Sequence, residues 1–172
     1  MKTLQVLESA SIFPWVLFPL AITIHNLEEA FWLPKWTENN KLIRRPIGLR
    51  EFLFAILFIT IFAYLSTFFK IIFPLSWLWK HIFYGFLGAM ILNIIFSHLL
   101  TSIILRKYSP GLLTGVLIVF PANSSILFQS FTSRNLGWLD FILSSIVVSA
   151  VTLFLLPILF NIGRKVSNQR KN

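Results

Sequence analysis

The residues able to do chemistry are few, and three of them stand together: His25, Glu28 and Glu29 in the run Ile24-His25-Asn26-Leu27-Glu28-Glu29. The whole chain of 172 residues has only six acidic side chains and three histidines. On a helix, offsets of three and four residues put His25, Glu28 and Glu29 within about 100° of arc, so one face carries all three. Imidazole nitrogens and carboxylate oxygens form a ligand set that suits zinc, iron or manganese and argues against copper(I). His25 and Glu29, at i and i+4, can take one divalent ion from one helix, with His98 as a third ligand. A carboxylate left unligated, Glu28 or Glu51, is then the candidate general base toward a metal-bound water, and Asn93 is the residue to orient His98. Two-metal carboxylate centres in bundles usually take four Glu and two His; only three Glu are within reach here, so one ion is expected. The chain has no Cys, which excludes thiolate nucleophiles, Cys-ligated metals and disulfides.

These groups must be positioned inside a very apolar chain. It is 56% hydrophobic, 16% aromatic and 12% charged, with 19 Phe, and its mean hydropathy is +0.79. A soluble domain carries about a quarter charged residues, roughly twice this share, so the class that fits is a multi-pass membrane protein. Apolar runs long enough to cross about 30 Å of hydrocarbon, roughly 20 residues each, occur near 11–33, 51–69, 81–105, 111–131 and 137–160. In lipid every backbone polar group needs an internal partner, which makes these spans helices. The expected fold is all-α: one transmembrane bundle of about five helices forming a single domain over 1–172. There is no internal repeat or low-complexity tract, and no small-residue cleavage site follows the first run, so it is expected to stay in the mature protein.

The net charge of +9 reads as orientation rather than nucleic-acid binding, because the basic residues sit between the apolar runs. The loop 34–50, the segment after the third span and the C-terminal tail together hold eleven of the 15 Lys and Arg residues. The positive-inside rule then puts the N-terminus outside and the C-terminus in the cytoplasm. Trp15, Trp77, Trp79 and Trp138 fall at the outer interface, Trp32 and Trp36 at the inner one, as amphipathic rings prefer. The lipid bilayer is the partner that follows, with anionic head groups a further one for the basic loop. The oligomeric state is left open.

Depth gathers the polar residues. With a helical rise of about 1.5 Å per residue, His25 lies roughly 13 Å and Glu29 roughly 8 Å from a helix end at Pro34, and His98 roughly 12 Å from one at Arg106. Glu51, opening the second span, could reach Glu29, and Thr114 lies at a comparable level. Asn93, Ser97 and Thr101 form a polar stripe on the third span with His98 at its edge. Ionisable groups at membrane depth cost on the order of 2.5 to 3.5 kcal/mol each, so three together need a partner or an aqueous cavity.

The same residues carry a resemblance. His25-x-x-Glu28-Glu29 near the end of a first membrane helix resembles the signature of the HXXEE family of small bacterial integral membrane proteins. The acidic start at Glu51, the pair Asn93 and His98, and Tyr108-Ser109-Pro110-Gly111 followed by Thr114 and Pro121 are similar to the rest of its pattern. The resemblance covers about Thr23 to Pro121 and implies a bacterial inner-membrane location. The family lacks an established activity; its His and Glu pattern points to a metal-dependent membrane enzyme. Prenyl-protein proteases of the membrane also pair Glu residues, but the Arg of that pattern is replaced here by Trp32.

Each residue also has a plainer reading. His25, Glu28 and Glu29 can lock helix packing, His98 and Asn93 can bond across helices, and Glu51 can meet the helix dipole. His81 and Asp140 belong to the outer interface; Pro110-Gly111 starts a helix and Pro121 kinks one. The leading reading is a metal-dependent enzyme, hydrolase or oxidase, acting on a lipid-like substrate from the cytoplasmic leaflet. The alternatives are a small proton-coupled carrier, its path continued by Asn123, Ser124, Ser125 and Gln129, or a non-catalytic protein whose polar network is structural.

Overall fold

A computed structural model describes residues 13–40 and 45–169. Among these residues there are five helices and no strand: α1 Phe13–Glu38, α2 Leu49–Ile72, α3 Trp77–Leu105, α4 Leu112–Thr132 and α5 Trp138–Gln169. Four of them, α2 to α5, are long and apolar enough to cross a membrane. At 26 residues α1 matches them in length, but its apolar run is interrupted by His25, Asn26, Glu28 and Glu29. The protein is a membrane protein of helical bundle architecture.

Two helix ends depart most from the expected spans. α1 continues through Pro34 to Glu38, where the Thr37 hydroxyl donates to the Pro34 carbonyl at 2.8 Å and accepts from Ile47 N–H at 3.2 Å. The side chain thus serves an end that proline weakens by lacking an N–H. α5 runs through Pro157 and beyond Phe160, so Arg164 and Lys165 stand on a helix instead of in a tail. Membrane helices tolerate proline where neighbouring helices, Ser/Thr side chains or local adjustments of the turn satisfy the freed backbone groups.

The core is aromatic and aliphatic. Phe18 and Ile22 of α1 pack on Phe83, Phe86 and Leu87 of α3, with Val119 and Ile126 of α4 closing the cluster. α3 and α5 approach closely over small residues: a Cβ on Gly88 would come within 1.9 Å of Ser145 Oγ, and one on Gly85 within 2.6 Å of the Ser144 carbonyl. Small residues at such crossings let backbones pack without a hydrophobic driving force. Outward, Leu153 and Phe154 of α5 are about as exposed as the large side chains of Phe31 and Phe128, as a lipid-facing surface requires.

Two helices widen at one level. α3 takes a π-helical course over Ile94–Leu100, and α4 over Gly115–Val119. Such wide turns often mark functional sites, and these two flank the residues singled out above.

Candidate functional site

α1 contributes His25 and Glu29, and the π turn of α3 contributes His98. Each offers one ligand atom to a group in which those atoms lie within 4.8 Å of one another. His25 and His98 are 1% and 3% exposed, and their rings meet edge to face at 5.1 Å. Glu29 Oε1 is 3.3 Å from His98 Nε2. His25 Nε2 and His98 Nδ1 are buried with no hydrogen-bond partner. Two buried imidazoles and one carboxylate with ligand atoms so close together form a donor set that suits a cation.

Asn93 also touches the group, its amide nitrogen 3.2 Å from His98 Nε2. The five-residue separation matters. On an α-helix, i and i+5 point about 140° apart, whereas the wider π turn, with its i→i+5 hydrogen bonds, swings them closer together. The widening of α3 therefore brings Asn93 onto the imidazole and turns His98 inward, while Ser97 is exposed.

Glu28 is held otherwise. Its Oε1 accepts from the Tyr108 hydroxyl and from Gly111 N–H at 2.9 Å; its Oε2 accepts from Thr114 N–H at 2.9 Å and from the Thr114 hydroxyl at 2.6 Å. The backbone donors belong to the start of α4, whose first N–H groups have no partner within the helix. A carboxylate on α1 caps a helix distant in sequence. Burial, and then the bond to Glu28, push the Tyr108 phenol above its ordinary range.

Gly111 is the residue sequence reasoning treated as a turn former and nothing more. Its φ of +92° is a left-handed conformation that glycine adopts without strain. A Cβ there would lie 2.6 Å from His98 Cε1 and 3.0 Å from His25 Cε1. Both imidazoles pack against this one backbone position. Thr114 closes the site, its hydroxyl 3.1 Å from His25 Nδ1.

Glu51 sits apart from this group. Arg164 on α5 holds both its oxygens, Nε to Oε1 and one terminal nitrogen to Oε2, each at 2.8 Å. The approach to Glu29 expected from depth is replaced by this bidentate pair, because α5 extends far enough to bring Arg164 alongside. At the other end of α3 and α5, Asp140 lies 3.7 Å from Lys80 and 3.8 Å from His81.

Residues 16–126 match the family model described as a protein of unknown function with an HXXEE motif. The chain belongs to the HXXEE family. In this HXXEE protein the matched residues include every member of the cluster, together with Glu28, Asn93, Tyr108, Gly111 and Thr114, whereas Arg164 lies beyond them. The chain is similar to the uncharacterized protein YrkK of Bacillus subtilis (strain 168), at 45% identity over 150 residues, which cover 87% of this chain and 95% of that one. No solved structure matches it.

Proposed function

We propose that His25, Glu29 and His98 bind one divalent cation, zinc, iron or manganese, and that this centre serves a metal-dependent enzyme acting on a lipid-like substrate. The observation that carries the reading is the gathering of two buried imidazoles and one carboxylate, each with a ligand atom in a single group. Ligand atoms at about 2.0 to 2.2 Å from a tetrahedral ion stand about 3.4 Å apart, so a group within 4.8 Å closes around an ion by side-chain rotation. Three protein ligands leave a position open, the arrangement catalytic sites use to polarise a substrate oxygen or activate water. Hydrolysis and metal-dependent oxidation both suit this donor set.

In this reading Glu28 and Glu51, the two candidate bases, have distinct employment: Glu28 holds the start of α4, and Glu51 holds Arg164. The excess of Lys and Arg on one side orients the site toward the cytoplasmic leaflet of a bacterial cell membrane. A lipid-like substrate fits a site enclosed by membrane helices. The carrier alternative has less support, because Ile22 and Ile94, each about one turn from His25 or His98, and Val119 on α4 are buried and apolar. They interrupt a polar path toward Asn123.

Metal analysis of the purified full-length protein tests the reading. About one ion per chain is expected, falling sharply in His25→Ala and Glu29→Ala. A metal-free wild type, or unchanged content in both variants, overturns it.

A further inference from the structure

We propose that Thr114 is a positioning residue that couples Glu28 to His25, so that His25 keeps its proton on Nδ1 and presents a bare Nε2 to the cluster. The argument is a count of hydrogens. A threonine hydroxyl has one hydrogen and two lone pairs. At Thr114 that hydrogen goes to Glu28 Oε2, 2.6 Å away. Glu28 receives three further donors, the Tyr108 hydroxyl and the N–H groups of Gly111 and Thr114, a donor set that favours the ionised carboxylate, which has no hydrogen to give. Toward His25 Nδ1, at 3.1 Å, the Thr114 oxygen can therefore only accept.

Nδ1 of His25 is thus the donor, and in a neutral imidazole the lone pair then lies on Nε2. Metal-binding histidines are commonly fixed this way, with the far ring nitrogen donating to an oxygen that sets the tautomer and the ring's direction. Here the oxygen is a hydroxyl backed by a carboxylate one turn along the same helix as the imidazole. The motif's two carboxylates thereby divide the work: Glu29 faces the cluster, and Glu28 acts on His25 through Thr114. The tautomer assignment stands whether or not an ion binds; its effect on affinity rests on the metal reading above.

The experiment is nitrogen NMR of the metal-free full-length protein in lipid nanodiscs, with isotope-labelled histidine and the His25 signals assigned by their loss in His25→Gln. Wild type is expected to show His25 protonated at Nδ1 and bare at Nε2. Thr114→Ser is expected to keep that tautomer and bind Co2+ as wild type does, whereas Thr114→Val is expected to lose the tautomer preference and bind Co2+ about tenfold or more weakly. His25 protonated at Nε2 in wild type, or an unchanged tautomer in Thr114→Val, overturns the proposal. Should Thr114→Val not fold, the wild-type spectrum still decides it. The expected tautomer without Co2+ binding overturns the metal reading alone.

Discussion

Glu28 Oε2 accepts both the backbone N–H and the hydroxyl of Thr114, at 2.9 and 2.6 Å, so two residues 86 positions apart are joined by two bonds. With the Gly111 and Tyr108 donors on Oε1, the carboxylate fastens α1 to the start of α4. Replacing Glu28 with Ala leaves two partly buried backbone N–H groups without their acceptor, a loss below the roughly 1 to 3 kcal/mol that a fully buried donor costs. Glu28→Ala is therefore expected to lower the unfolding midpoint in detergent more than Glu29→Ala does. Parallel thermal melts check this; equal midpoints would contradict the capping role.

Gly111 supports a second expectation. A side chain there meets both an unfavourable φ and the two imidazoles. The left-handed conformation alone costs an alanine about 1 to 2 kcal/mol, and the contact at 2.6 Å forces His98 to move. Gly111→Ala should retain the helical far-ultraviolet spectrum while losing most bound metal. Circular dichroism and metal content measured on one preparation separate these effects, and full metal content would show that the glycine does not shape the cluster.

The bundle was legible in the sequence because lipid imposes length and apolarity on each crossing, and the meeting of His25 with His98 followed from depth counted along α-helices. What could not be read was where a helix stops being α. Asn93 and His98 are separated by five residues, a spacing that a regular helix splays and the π turn over Ile94–Leu100 closes. Gly111 looked like a turn because glycine's use for backbone conformation hides its use as empty space beside an imidazole. Glu51 was drawn toward Glu29 because the helix carrying Arg164 was expected to end at residue 160, and the competing cation was placed in a tail.

Tyr108, half-exposed, should add a small alkaline dependence to the stability. Its phenol is shifted upward, by burial first and by the bond to Glu28 second. A group with a raised value in the folded state adds stability that is complete below its ordinary titration and is lost as pH rises through the shifted one. The stability advantage of wild type over Tyr108→Phe is thus expected to be level up to about pH 10 and to shrink above it. Unfolding midpoints of both proteins across pH 8 to about 11.5 measure the difference. A difference that grows with pH would contradict the donor role of the phenol.

The Glu51 and Arg164 pair provides the sharpest separation between site and scaffold. Both carboxylate oxygens are engaged at 2.8 Å by one guanidinium, a geometry that fixes the lower part of α2 against α5. The Arg164 side chain is 45% exposed, so salt screens its attraction and the pair contributes little to overall stability. Glu51→Gln and Arg164→Gln are expected to leave metal content at the wild-type level and to shift the unfolding midpoint slightly, by an amount that falls as salt is raised. If Glu51 took part in the cluster, Glu51→Gln would instead lose metal while Arg164→Gln kept it. Measuring metal content in the two variants side by side distinguishes a carboxylate that ties helices together from one that reaches the site.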